Sequence, residues 1–121
     1  MERFSVLIVD DDPIVRQIVK EVFSNFFNCS IEEAGDGSEA LDILKKEKFN
    51  LLFTDYEMPI LKGGELIRQA KEMHPDIKSI LMSGGNPVEV TAVAVSAGAN
   101  EVLSKPLYPF LLRGIVERLL S

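Results

Sequence analysis

Five short apolar runs, separated by longer segments with helical spacing, constrain the fold of this sequence most. The short runs have the length of strands, and the segments between them place apolar residues three and four positions apart, which is the period of a helix. Strands that alternate with helices predict a mostly parallel sheet with helices on both faces. Because the runs are continuously apolar, we expect buried strands throughout. The predicted strands are Phe4–Val9, Cys29–Ala34, Asn50–Thr54, Ile77–Met82 and Asn100–Leu103.

The helical segments carry recognisable boundaries. Asp12 followed by Pro13 is typical of an N-cap and a first helical position. Gly63 and Gly64 are expected to precede the third helix, and the segment 84–87 to open the fourth. The fourth helix is apolar on more than one side, so part of its surface is expected to face a partner or a second copy. Its valines are Val88, Val90, Val93 and Val95.

Composition limits the classes of function. The chain has 121 residues, of which 46% are apolar, so residues 1–121 are expected to form one domain. Its net charge of −6 does not attract nucleic acid, and direct binding to DNA or RNA is not expected. No apolar run reaches the length of about 18 residues that a membrane span needs. The single Cys29 cannot form a disulfide within the chain, which favours a cytoplasmic location.

Polar residues stand at the ends of four predicted strands. Asp10 and Asp11 follow the first strand, Asp55 the third, Ser83 the fourth and Lys105 the fifth. Right-handed crossovers bring these ends to one edge of a parallel sheet, where ligands bind. Close carboxylates need a cation, for which Mg²⁺ is suited, and a lysine and a hydroxyl suit phosphoryl oxygens. The residues together therefore predict a Mg²⁺ and phosphate site with an aspartate nucleophile, although each alone is compatible with a turn or a cap.

The order and spacing of these motifs resemble the receiver domains of bacterial two-component response regulators, over essentially the whole chain. The resemblance implies a flavodoxin-like, doubly wound α/β fold with five helices and a five-stranded parallel sheet of order 2-1-3-4-5. It also implies a phosphoryl-accepting switch and not an enzyme acting on outside substrates. The matching motifs are Val6-Leu7-Ile8-Val9-Asp10-Asp11-Asp12-Pro13, Thr54-Asp55-Tyr56-Glu57-Met58-Pro59, Leu81-Met82-Ser83-Gly84, Gly98-Ala99 and Lys105-Pro106.

The resemblance also implies roles for single residues. Asp55 would be the phosphoacceptor, Ser83 the switch hydroxyl and Lys105 the phosphate-binding lysine, with a cis bond between Lys105 and Pro106. Mg²⁺ would be held directly by Asp11 and Asp55, through water by Asp10, and by the backbone carbonyl of Glu57. The donor would be a phosphohistidine on a sensor histidine kinase or a histidine phosphotransfer protein. We expect that partner to dock on Ile14, Ile18 and Pro106, while Asp12 serves as a helix cap.

The sequence departs from the family pattern near the switch. Val102 lies three residues before Lys105, where most receivers carry an aromatic residue. We therefore expect the signal to pass through the glycine-rich loop at 84–87 into the fourth helix. Two other functions stay open. A Mg²⁺-dependent phosphohydrolase is disfavoured because no capping insertion is present. A phosphorylation-independent interaction module is disfavoured because Asp55, Lys105 and the acidic pair are all present. The downstream effector is not identified by the sequence.

Overall fold

The computed structural model describes residues 3–121, which form a five-stranded sheet between two layers of helices. All neighbouring strands are parallel and lie in the order β2-β1-β3-β4-β5, which confirms the predicted topology. The strands are β1 (Phe4–Val9), β2 (Cys29–Ala34), β3 (Leu51–Asp55), β4 (Lys78–Ser83) and β5 (Glu101–Ser104).

The first two strands match their predicted bounds, and the other three begin and end one residue later than predicted. Asparagines explain two of these shifts, because their side chains bond to the neighbouring strand before the ladder begins. The Asn50 side chain accepts from the Ser5 amide at 2.9 Å, and that of Asn100 accepts from the Ser79 amide at 2.9 Å. With the later bounds, Asp55 and Ser83 are the last residues of β3 and β4.

Burial follows the position of each strand in the sheet. The three internal strands β1, β3 and β4 are buried along almost their whole length, as predicted. The prediction of burial was wrong for β2, in which Ser30 and Glu32 are exposed. This strand lies at the edge of the sheet, so its outer side has no neighbouring strand. Within the other edge strand, β5, Leu103 alone is buried.

The five helices are ten to fourteen residues long and cover both faces of the sheet. Buried residues of α1 and α5 pack with alternate residues of β1, such as Val6 and Ile8, on one face. Residues of α2, α3 and α4 pack with Leu7 and Val9 on the other face. Within residues 3–121, none of the helices has the length and apolarity needed to cross a membrane. The helices are α1 (Pro13–Phe26), α2 (Gly37–Lys46), α3 (Gly63–Met73), α4 (Pro87–Ala97) and α5 (Pro109–Leu120).

Two helix starts determine the backbone around the strand ends. Asp12 caps α1, as predicted, because its Oδ1 accepts from the Ile14 amide at 2.9 Å. The prediction that Gly63 and Gly64 precede α3 was wrong, because α3 begins at Gly63. A Cβ atom at Gly63 would lie 2.1 Å from the carbonyl oxygen of Asp55, so the absence of a side chain lets α3 begin against the end of β3.

Candidate functional site

Three carboxylates meet at the carboxyl edge of the sheet. Asp10, Asp11 and Asp55 each offer an oxygen atom within 4.8 Å of the other two. Asp10 and Asp55 are buried, whereas Asp11 is exposed. The ammonium group of Lys105 lies 3.2 Å from Asp55 Oδ1 and 4.0 Å from Asp10 Oδ2. The structure therefore brings together the acidic residues and the lysine that the sequence predicted at this edge.

Asp10 carries a buried oxygen atom with no hydrogen-bond partner among residues 3–121. Its Oδ1 accepts from the Asp12 amide at 2.9 Å, but its Oδ2 has no hydrogen-bond donor within the described part of the chain. The pKa of Asp10 is raised from 3.8 to about 6, mainly by burial. The hydrogen bond from Asp12 lowers this pKa, and the nearby charge of Asp55 raises it further. An unpartnered, buried carboxylate oxygen beside two further carboxylates fits a hard cation, which prefers oxygen ligands.

Burial and the lysine have opposite effects on the pKa of Asp55. Burial raises its pKa, while the hydrogen bond and the positive charge of Lys105 lower it. The backbone is tied to both neighbours, because the Tyr56 amide donates to the Met82 carbonyl at 2.8 Å and the Gly63 amide donates to the Tyr56 carbonyl at 3.0 Å. Asp55 is therefore a carboxylate with a lysine counter-charge on a rigid strand end.

Two further predicted site residues, Ser83 at the end of β4 and Glu57 two positions after Asp55, differ in burial and in partners. Ser83 is buried at the end of β4, and its hydroxyl oxygen accepts from the Gly85 amide at 2.9 Å. The Glu57 side chain is exposed and forms an ion pair with Lys62 at 3.4 Å. Its negative charge is thus partly compensated by Lys62, and its carboxylate is not one of the three that cluster. The Lys105–Pro106 bond is cis, as the resemblance implied.

Two side chains that were not predicted from the sequence, Arg16 and Tyr56, join the site to its surroundings. Arg16 Nη1 donates to the Asp10 carbonyl oxygen at 2.5 Å. The Tyr56 hydroxyl donates to Glu89 of α4 at 3.2 Å, so the residue after Asp55 is bonded to the first turn of that helix. Arg16 could have been noticed as a charged residue within the apolar stripe of α1, but its partner is a backbone atom, for which sequence carries no signal.

The residues predicted for partner docking are exposed near the cluster. Ile14 is 70% exposed and Ile18 47% exposed, so neither is a core residue. Pro106 is exposed as well. Between α1 and the segment after β5 lies a groove of about 200 Å³, whose lining includes Ile18, Lys105 and Pro106. An apolar surface therefore adjoins the lysine of the site.

A parallel sheet of this order, with clustered aspartates and a lysine at its carboxyl edge, defines a receiver-type signalling module. The sequence profile of the response regulator receiver domain matches residues 6–117, and the chain belongs to this family. It is a phosphoryl-accepting switch of two-component signalling.

Several named relatives are similar in sequence. Response regulator MprA of Mycobacterium avium is 33% identical over 94% of this chain. The match covers 48% of that relative, so the chain spans about half the length of the MprA proteins it matches. A chemotaxis protein CheY homolog of Campylobacter jejuni is 33% identical, over 96% of this chain and 92% of its own length.

Solved structures of receiver domains superpose over nearly the whole chain. A CheY-like receiver domain protein from Methanospirillum hungatei has a TM-score of 0.88 at 31% identity, with 98% of this chain and 94% of that chain covered. The BeF3-activated receiver domain of DrrB has a TM-score of 0.90 at 26% identity, with 98% of each chain covered.

Proposed function

We propose that residues 1–121 act as one receiver domain in which Asp55 accepts a phosphoryl group from a phosphohistidine. The donor is a sensor histidine kinase or a histidine phosphotransfer protein. The observation that carries this proposal is the pairing of buried Asp55 with Lys105 at 3.2 Å, beside Asp10 and Asp11. This arrangement combines a carboxylate nucleophile with a fixed positive charge, and phosphoryl transfer requires mainly positioning and charge neutralisation.

The transfer balances without any further reagent. An oxygen atom of Asp55 forms a bond to phosphorus, and the bond between phosphorus and the histidine nitrogen of the donor breaks. The electron pair of that bond stays on the imidazole, and Asp55 becomes an acyl phosphate. Lys105, already beside Asp55, holds a phosphoryl oxygen through its ammonium group, and the Ser83 hydroxyl turns from acceptor to donor toward another.

The same residues fit Mg²⁺. We propose that Asp11, Asp55 and the backbone carbonyl of Glu57 hold the ion directly and that Asp10 holds it through water. The unpartnered Oδ2 of Asp10 supports this assignment, and the capping role of Asp12 leaves that residue out of it. When bound, Mg²⁺ neutralises the acidic cluster and the oxygens of the transferred group.

We place this chemistry in the cytoplasm, where the single free thiol of Cys29 stays reduced.

We propose the docking and output surfaces from the exposure of their apolar side chains. The donor protein docks on Ile14, Ile18 and Pro106, which are exposed beside the groove next to Lys105. The output passes through the loop after Ser83 into α4, where Val88 is 80% and Val95 75% exposed. A cavity of about 160 Å³, whose lining includes Ser83 and Val102, leaves room for this loop to move.

Mg²⁺-dependent labelling by acetyl phosphate tests the proposal. Asp55→Asn is expected to abolish labelling, because an amide oxygen is a far weaker nucleophile than a carboxylate. Asp12→Asn is the matched control and should label normally, because asparagine caps a helix as well as aspartate does. Labelling of Asp55→Asn at another residue would contradict the assignment of Asp55. A wild-type protein that takes no label would support the interaction module, and turnover of small phosphate esters would support the hydrolase.

A further inference from the structure

We propose that Arg16 is a positioning residue for phosphoryl transfer, because it holds the main chain of Asp10 and thereby directs the Asp10 carboxylate into the site. The inference rests on the proposed function, in which Asp10 belongs to the Mg²⁺ site. Arg16 acts through Asp10 and is not among the residues proposed to touch the phosphoryl group or the ion.

The contacts of Arg16 join the carboxyl ends of two strands. Its Nη1 donates to the carbonyl oxygen of Asp10, which follows β1, at 2.5 Å. Its Nε forms an ion pair with Glu33 Oε1 of β2 at 3.4 Å. The Arg16 side chain is 21% exposed. A half-buried guanidinium with two fixed partners has a defined direction, whereas a solvated surface arginine does not.

The remaining polar atoms of Asp10 show why this contact matters. The Asp10 amide donates to the Ala34 carbonyl at 3.2 Å, its carbonyl accepts from Arg16, and its Oδ1 accepts from the Asp12 amide at 2.9 Å. The fourth polar atom, Oδ2, is buried, has no hydrogen-bond partner in the described part of the chain, and lies 4.0 Å from Lys105 Nζ. Three fixed polar atoms therefore direct the fourth toward the cluster.

Positioning and simple electrostatics predict opposite results when Arg16 is replaced. The guanidinium is a cation, so its removal should relieve repulsion and tighten Mg²⁺ binding if only charge matters. If Arg16 positions Asp10, its removal should weaken Mg²⁺ binding, because Asp10 reaches the ion through water and outer-shell groups of this kind contribute about 10–100-fold to metal affinity. The sign of the change separates the two explanations.

Lys20 supplies a matched control within the same helix. Its Nζ lies 3.2 Å from Glu33 Oε2, so it pairs with the same carboxylate as Arg16. The hydrogen bond to the Asp10 carbonyl comes from Arg16. Lys20→Met therefore removes a positive charge and a bond between α1 and β2 without removing that hydrogen bond.

The test is a calorimetric Mg²⁺ titration of the wild-type, Arg16→Met and Lys20→Met proteins, after urea unfolding has shown that each is folded. We expect about tenfold weaker binding for Arg16→Met and unchanged binding for Lys20→Met. Amide hydrogen exchange of the Mg²⁺-free proteins gives a second readout. The Asp12 amide, which donates to Asp10, should exchange faster in Arg16→Met and not in Lys20→Met.

Unchanged or tighter Mg²⁺ binding by Arg16→Met overturns the inference. An equal loss in Lys20→Met also overturns it, because the effect would then come from the shared pairing with Glu33. A wild-type protein that binds no Mg²⁺ overturns the proposed metal site and this inference with it. If Arg16→Met does not fold, Glu33→Gln takes its place, since it removes the charge that orients Arg16. It must weaken Mg²⁺ binding more than Lys20→Met does, and an equal effect of the two variants overturns the inference.

Discussion

Asp10→Asn is expected to stabilise the Mg²⁺-free protein while it impairs the metal site. Burial raises the pKa of Asp10 from 3.8 to about 6. A pKa difference of this size means that the ionised Asp10 lowers the free energy of unfolding by about 3 kcal/mol at neutral pH. Asparagine carries no charge and keeps an oxygen for the Asp12 amide, so most of this deficit should disappear in the variant.

The dependence on pH identifies the cause. Between about pH 4 and pH 6 the folded protein keeps a proton on Asp10 that the unfolded chain has released. The stability contributed by this group is therefore lost as the pH rises through that range. Asp10→Asn should match the wild type near pH 4 and exceed it by about 3 kcal/mol at pH 7.5.

Urea unfolding in the presence of a chelator, at both pH values, measures the difference. Asp12→Asn serves as the control and should match the wild type at both, because asparagine caps a helix equally well. Added Mg²⁺ should stabilise the wild-type protein more than Asp10→Asn, since a ligand stabilises the state that binds it. An Asp10→Asn variant that is no more stable than the wild type at pH 7.5 would refute the reasoning.

Three further predictions concern docking, packing and output. Ile14→Ala should slow phosphotransfer from the cognate kinase without changing labelling by acetyl phosphate; equal slowing of both reactions would contradict a docking role. Gly63→Ala should destabilise the protein by about 3 kcal/mol in urea unfolding, because its Cβ would meet the Asp55 carbonyl. Gly114→Ala is the control and should stabilise the protein by about 0.5–1 kcal/mol, because a Cβ at Gly114 would have no described atom within 4 Å. If Gly114→Ala were the less stable of the two variants, the contact at Gly63 would be contradicted. Beryllofluoride with Mg²⁺ should change amide exchange across residues 84–97, and a response confined to another surface would rule out α4 as the output.

The architecture and most of the cluster could be predicted from the sequence because both depend on local pattern. Apolar runs alternate with helical stripes, and four of the five strand ends carry a polar residue of the site, as at Asp10, Asp55 and Lys105. Once the strands are parallel, their carboxyl ends must meet at one edge, so the cluster follows from the order of the elements. Asp12 was recognised as a cap for the same reason, since an N-cap is defined by its immediate neighbours.

Tertiary structure alone decided how much of each edge strand is exposed and which distant groups meet. The exposure of Ser30 in β2 depends on the missing neighbour on that side, and the need for glycine at position 63 depends on where α3 begins against β3. The bonds from Tyr56 to Glu89 and from Arg16 to the Asp10 carbonyl likewise depend on the paths of the loops. Such contacts depend on where distant groups lie in space. Every residue has a backbone carbonyl, so the sequence does not show which one a side chain will bind, and periodicity and spacing could not predict these contacts.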